Sequence, residues 1–149
     1  MIISDFKNFP RQGRVLGIDW GLRRVGVAVS DPMRNFVFVR DAIVLPRGAL
    51  DHAERVAAVA KDEMCVGIVV GMPVYQDGSA SDTTKTVCDF IQDLKSKTDL
   101  PIITVEENLT SFVAQENIGR ARVGELKQKL DSEAARVILE NAIAILNRG

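Results

Sequence analysis

The chain has 149 residues, of which 46% are hydrophobic and 26% charged, and its formal net charge is −1. These values fit one globular domain over residues 1–149 with a sizeable core, and they exclude a disordered or fibrous chain. No apolar run reaches the ~18 residues that a membrane span requires, and the first residues lack the pattern of a signal peptide. Cys65 and Cys88 have no metal-binding or redox spacing, so we expect reduced thiols and a cytoplasmic protein.

Basic residues are concentrated near the start of the chain. Residues 1–47 hold eight lysines and arginines against four aspartates, a local charge of +4, and the remainder has −5. This asymmetry is compatible with a basic face for phosphate groups. For any single arginine, a solvated turn position is the more common role.

Three strands are predicted after an irregular lead-in over residues 1–13. They cover residues 15–18, 25–30 and 36–45. Short turns, at residues 21–24 and from Asp31-Pro32, join them. Because parallel neighbours need longer crossovers, these strands are predicted to form an antiparallel meander.

A helix is predicted next, over residues 49–64. Its apolar stripe recurs every three or four residues and consists of Leu50, Ala53, Ala57, Ala60 and Met64. His52, the only histidine, falls among the polar positions of this helix. We therefore expect His52 at the surface.

A strand, a helix and a fifth strand follow. The fourth strand, residues 66–70, is apolar throughout, as expected for a strand covered on both faces. The next helix starts at Ser81 or Asp82, and the fifth strand covers residues 101–105. The order strand, helix, strand predicts a right-handed parallel crossover.

The end of the chain is predicted to be helical. A short helix is expected near residues 111–118, a weakly structured piece over 119–130, and a last helix over 131–146 with Ala134 and Ala135 on its apolar stripe. The predicted fold class is therefore α/β, with a mixed five-stranded sheet flanked by helices.

Three acidic residues have unusual positions in this scheme. Asp19 ends the first strand, Glu107, with Glu106 beside it, follows the fifth strand, and Asp131 shares the apolar face of the last helix. Because parallel strands bring their carboxyl ends to one edge of a sheet, Asp19, Glu107 and Asp131 are predicted to converge.

Converging carboxylates repel one another unless cations neutralise them. An all-carboxylate site favours Mg²⁺ or Mn²⁺ over zinc, and such ions support phosphodiester hydrolysis. Simpler roles remain open at this stage: Asp19 could shape a turn, one of the two glutamates could be solvated, and Asp131 could be an N-cap. Backbone amides around residues 71–78, and at Thr110 and Ser111, could hold phosphates.

Four motifs together resemble the YqgF/RuvX family. Residues 17–31 are similar to its opening GxDxGxxRxGxAxSD, Val70–Pro73 with Gly78 to its VGLP…G segment, residues 106–111 to DERLTS, and residues 131–139 to DxxAAxxIL. The similarity covers roughly residues 14–146 in order and spacing. Two positions depart from the family pattern: Glu106 replaces an aspartate, and Asn108 replaces an arginine and removes a cation.

The resemblance implies an RNase H-like fold and a metal-dependent nuclease, a hydrolase acting on ester bonds. Asp19, Glu107 and Asp131 would be its catalytic metal ligands, and Arg23 or Arg24 matches the motif arginine, which could hold a phosphate of the nucleic acid. The family is named both as a Holliday-junction resolvase and as a nuclease of the 5′ end of the 16S rRNA precursor, and we favour the rRNA activity. The expected partners are therefore an rRNA precursor or branched DNA, with no membrane.

Two other classes of function remain possible from the sequence. Sugar-kinase-like phosphotransferases also begin with Gly-x-Asp-x-Gly, but they need a second such domain that 149 residues do not provide. A non-catalytic nucleic-acid-binding module is the other alternative. The sequence leaves a monomer and a homodimer equally open, although paired cuts in a junction require a symmetric dimer.

Overall fold

The computed structural model describes residues 6–74, 79, 81–108 and 123–148, except the side chains of Asn108, of residues 123–131 and of Arg148. It contains five strands, β1 (Val15–Asp19), β2 (Arg24–Ser30), β3 (Val37–Val44), β4 (Gly67–Val74) and β5 (Ile102–Asn108). Its helices are α1 (His52–Asp62), α2 (Asp82–Lys97) and α3 (Val123–Arg148). The short helix expected near residues 111–118 lies outside the described residues.

The strands form one sheet in the order β3-β2-β1-β4-β5. β1 and β2, and β2 and β3, pair antiparallel, whereas β1 and β4, and β4 and β5, pair parallel. This confirms the predicted mixed sheet. The apolar sequence of β4 is explained by its place next to β1 in the middle of the sheet, where all eight of its residues are buried.

Helices cover both faces of the sheet. α1 and α2 pack on one face, where residues such as Val56 and Leu94 meet Leu16 and Ile18 of β1. α3 packs on the other face, where Ala135 and Leu139 lie over residues such as Val69 of β4. We call this second surface the α3 face.

Close packing of α3 depends on a glycine in β1. A Cβ atom at Gly17 would lie 2.8 Å from the Leu139 Cβ and 2.9 Å from the Ala135 carbonyl oxygen. Because neither of these atoms belongs to a flexible side-chain end, only a glycine permits this helix–sheet distance.

The sequence misplaced both ends of α1. The helix begins at His52 and not at 49, and Leu50, assigned to its apolar stripe, is 91% exposed. Met64 lies beyond its end with φ +57° and is 77% exposed. His52 was wrongly expected at the surface, since it is only 7% exposed. The predicted helix was too long because Leu50 and Met64 continue its apolar spacing, although both residues are exposed and lie outside α1.

The last helix begins earlier than its apolar stripe indicates. α3 starts at Val123, so the backbone over 123–130 is helical and the expectation of weak structure there was wrong. Asp131 is consequently an interior helix residue and not an N-cap. α2, in contrast, begins as predicted after Ser81, whose hydroxyl accepts from the Thr84 amide in a reciprocal capping box.

The irregular lead-in contributes to the core. Phe9 is 3% exposed and lies against the backbone of Gly67 on the α3 face, where a Cβ atom would be 2.2 Å from its ring. Among the described helices, none is long and apolar enough to cross a membrane.

Candidate active site

The parallel strands β1, β4 and β5 end at the same edge of the sheet. Asp19 is the last residue of β1 and is 7% exposed. Glu107 is the penultimate residue of β5, where it pairs with Pro73 of β4. Two of the three predicted carboxylates therefore stand at one edge, two strands apart.

Strand alternation places both carboxylates on the α3 face. Val15 and Gly17 of β1 contact the α3 layer, so Asp19 projects from the same face. In β5, Val105 packs on the α3 face, and Glu107 follows it by two residues. Glu106 is on the opposite side and is exposed, so Glu107 is the glutamate that shares a face with Asp19.

Gly71 of β4 leaves the space between these two strands open. A Cβ atom at Gly71 would lie 3.0 Å from the Glu107 Oε2 and 2.3 Å from the Ile138 Cδ1. The Glu107 carboxylate therefore rests beside bare backbone of β4, under α3. A larger residue at position 71 would therefore displace the Ile138 side chain, the Glu107 carboxylate or both.

One oxygen of the Glu107 carboxyl is buried and receives no hydrogen bond from the described residues. Its Oε2 has no hydrogen-bond partner there, and burial raises its pKa to about 7. A buried carboxylate oxygen without a donor is costly unless a cation or another donor contacts it. This oxygen is therefore suited to a hard divalent cation.

The two candidate arginines differ in their surroundings. The Nε of Arg23 donates to the Leu45 carbonyl at 3.1 Å, and this side chain is exposed. Arg24 begins β2 two residues before Gly26, the β-sheet partner of Asp19, so it projects from the α3 face. Its Nη1 is buried and has no hydrogen-bond partner within the described part of the chain. Of the two arginines, Arg24 is thus the one that is shown to project from the same face as the acidic pair.

The third predicted carboxylate belongs to α3. Asp131 lies four residues, one helical turn, before Ala135, which packs on the sheet. Its side chain lies outside the described residues, as do Thr110, Ser111 and residues 75–78. Among the described side chains no group of three potential metal ligands occurs, which leaves the pair Asp19 and Glu107.

His52 contacts the turn next to this site, a role that the sequence did not indicate. Its Nε2 lies 2.8 Å from the Leu22 carbonyl oxygen, and its ring stacks on Trp20 with centroids 5.6 Å apart. Trp20 directly follows Asp19, and Leu22 lies in the turn that leads to Arg24. No local sequence pattern connects residues 30 positions apart, so this contact could not be inferred.

Comparison with known proteins gives consistent matches. The family model described as "RuvX: Holliday junction resolvase" matches residues 13–145. A protein of Maridesulfovibrio salexigens named "Putative pre-16S rRNA nuclease" is 37% identical over 88% of this chain and 98% of its own length. A protein of the same name from Bradyrhizobium sp. strain BTAi1 is 35% identical over 95% of this chain and 89% of its own length.

One solved structure supports the fold. A T. thermophilus RuvC in complex with a Holliday junction substrate superposes with a TM-score of 0.53, covering 89% of this chain and 94% of that one at 11% identity. At that identity the likeness concerns the fold alone. It confirms the RNase H-like architecture expected from the sequence.

Proposed function

The chain belongs to the RuvX family of Holliday junction resolvases, and on that premise we propose that it is a metal-dependent endonuclease that processes the 5′ end of the 16S rRNA precursor. The family match covers residues 13–145, and the relatives named for pre-16S rRNA align over most of their length. A role in rRNA processing assigns the protein to the cytoplasm, with nucleic acid as its partner.

The observation on which the proposal rests is the pair Asp19 and Glu107. Both project from the α3 face at one sheet edge, and the Glu107 Oε2 is buried without a partner among the described residues. A structural carboxylate in this position would be expected to have a donor. The donor set, carboxylates without Cys or His, favours Mg²⁺ or Mn²⁺.

In the proposed site, Asp19, Glu107 and Asp131 hold the cation. When bound, Mg²⁺ or Mn²⁺ would supply a polarised water and stabilise charge on the phosphate oxygens. Arg24 would bind a phosphate oxygen of the strand through its Nη1, which has no hydrogen-bond partner among the described residues, and would thereby orient the scissile bond. The amides at Thr110 and Ser111 are further candidates for phosphate contacts.

A cleavage assay with a matched acidic variant tests the proposal. Purified protein is incubated with an rRNA precursor end, a single-stranded RNA and a four-way DNA junction, with Mn²⁺ or EDTA. We expect precursor cleavage that requires the metal and falls at least about a hundredfold in Asp19→Asn, since the ligand charge is lost. The control Asp62→Asn removes an exposed carboxylate at the end of α1 and should keep full activity. Cleavage by Asp19→Asn at the wild-type rate would refute the assignment.

Junction resolution is the second candidate, because the family model is described by that activity. Paired cuts in a four-way junction require two symmetric active sites. Preferential junction cleavage by a protein that sediments as a dimer would therefore favour branched DNA. RNA binding that persists in EDTA, without cleavage under any metal, would favour a non-catalytic binding module instead.

A further inference from the structure

A second cavity lies at the end of the sheet opposite to Asp19. It has a volume of about 620 Å³, is open to solvent, and is lined by the lead-in, the turn between β2 and β3, and the last turn of α3. Arg34, from the β2–β3 turn, donates its Nε to the Gly13 carbonyl at 3.0 Å. Gly13 precedes the start of β1, whereas Asp19 ends it, so the cavity is separate from the carboxylate site.

Arg34 is the unusual residue of this cavity. It is only 8% exposed, its guanidinium lies 5.8 Å from the centroid of the Phe9 ring, and burial lowers its pKa. Its Nη2 is buried and has no hydrogen-bond partner among the described residues, and none of the ion pairs found there includes Arg34. A buried cation without a counter-charge is costly, which is typical of a site that receives an anion.

The other charged residues around the cavity have the same sign. Lys7 and Arg11, both exposed, line it together with Arg34, and no acidic residue is among its described lining residues. The carboxyl end of α3 contributes only about −0.5 charge at this point, less than the three cations. The described lining of the cavity therefore has a net positive charge.

Apart from Asn147, the remaining wall is apolar. Phe6, Pro10 and Leu146 line the cavity beside the cations. A ligand that contacts both the cations and the apolar wall combines an anionic group with a flat apolar body. The planar guanidinium matches phosphate oxygens in a bidentate manner, and an aromatic wall accepts the face of a base. The volume lies within the range of small-ligand sites.

We propose that this cavity binds a nucleoside monophosphate unit, free or within a strand. Its phosphate contacts Arg34 with support from Lys7 and Arg11, and its base lies against Phe6, Pro10 and Leu146. This site is independent of the cleavage chemistry, because none of its residues belongs to the carboxylate site.

Calorimetry with three probes tests the chemical class. Wild-type protein in EDTA is titrated with AMP, adenosine and inorganic phosphate. We expect AMP to bind at least about tenfold more tightly than either of the other two, because only AMP engages both parts of the cavity. Equal affinities for AMP and phosphate, or for AMP and adenosine, would overturn the proposal, as would no AMP binding.

Charge-reversal variants test whether AMP binds in this cavity. The double variant Lys7→Glu with Arg11→Glu changes exposed residues and should weaken AMP binding about tenfold or more. The matched control, Lys61→Glu with Lys85→Glu, alters net charge equally on exposed positions of α1 and α2 and should stay within about twofold of wild type. Equal weakening by both pairs would contradict the site. Arg34→Met should abolish binding, and the double variant gives the answer if Arg34→Met does not fold.

Competition identifies the source of the nucleotide. A single-stranded RNA of about eight nucleotides should displace labelled AMP, and lose this ability in the Lys7→Glu, Arg11→Glu variant, if the site takes part of a strand. Failure of RNA to displace AMP would support a free nucleotide. The proposed nuclease activity can fail without affecting these results, since no cleavage is measured.

Discussion

Glu107 is both a proposed metal ligand and a buried carboxyl that affects the stability of the fold. Its carboxyl lies under α3 beside Gly71, and burial raises its pKa to about 7. Without a cation, the native state therefore keeps a proton on Glu107 at pH values where the unfolded chain has lost it. The native protein binds more protons than the unfolded chain between about pH 4.5 and 7.

Metal-free protein is therefore expected to lose stability as pH rises through this window. The contribution of Glu107 is fully present below about pH 4.5 and lost above about pH 7, a change on the order of 2–3 kcal/mol in the free energy of unfolding. Urea unfolding in EDTA at several pH values measures it. Glu107→Gln should remove this part of the pH dependence and be the more stable protein at about pH 8, whereas the exposed Glu106→Gln should resemble wild type. A Glu107→Gln curve parallel to the wild-type curve would contradict the prediction.

Arg24 and Arg23 illustrate how strand alternation separates neighbouring residues. Arg23 donates to the Leu45 carbonyl in the turn region, and Arg24 projects from the α3 face, as the acidic pair does. The motif matched either arginine. Arg24 is the first residue of β2, so the pairing of that strand determines the face from which its side chain projects. Side chains one residue apart on a strand point to opposite faces.

At the scale of elements, the contact between β4 and α3 determines the shape of the site. Gly71 allows Ile138 of α3 and the Glu107 carboxylate to approach the strand, since a Cβ atom there would be 2.3 Å from the Ile138 Cδ1. α3 in turn supplies Asp131 one turn before Ala135. The position of the helix over the sheet therefore affects two of the three proposed metal ligands, Glu107 and Asp131.

A double-mutant cycle tests this contact. Gly71→Ala should cost about 1–3 kcal/mol by overpacking, and Ile138→Val, which removes the Cδ1 atom, should cost about 0.5–1.5 kcal/mol alone. Because the removed methyl is the atom that the new Cβ meets, the double variant should cost less than the sum of the two. Urea unfolding gives the coupling energy. Strictly additive costs would mean that α3 does not approach β4 as closely as described.

At the scale of the whole molecule, the proposed ligands come from distant parts of the chain. Asp19, Glu107 and Asp131 belong to β1, β5 and α3, which meet only when the sheet and its helix are assembled. A cation that binds them therefore binds the native state and not the unfolded chain. Such binding stabilises the fold by mass action.

Mg²⁺ or Mn²⁺ should accordingly raise the thermal unfolding midpoint. At a concentration about a hundred times the dissociation constant, the gain is about 2.7 kcal/mol. The gain should be larger at about pH 8 than at about pH 5.5, because a proton on Glu107 competes with the metal. Thermal unfolding with and without metal measures it, with Asp62→Asn as the unaffected control. A gain of the same size in Asp19→Asn would show that the metal binds elsewhere.

The sequence by itself determined the order of the elements and the type of sheet. Alternating and continuous apolar runs defined β1 to β5, and the short turns after β1 and β2 permitted only antiparallel neighbours. The motifs at Asp19 and Glu107 also predicted two acidic residues at one edge. These features depend on neighbours along the chain, so a one-dimensional pattern contains them.

Only the tertiary structure decided what depends on contacts between distant residues. It placed Glu107 on the α3 face and Glu106 on the opposite side, it placed Arg24 on the α3 face as well, and it buried His52 against Trp20. It also showed that Asp131 lies inside a helix that begins at Val123, and that the Nη2 of Arg34 is buried without a hydrogen-bond partner among the described residues. Burial, exposure and the loss of a hydrogen-bond partner result from packing between elements, and no local spacing specifies them.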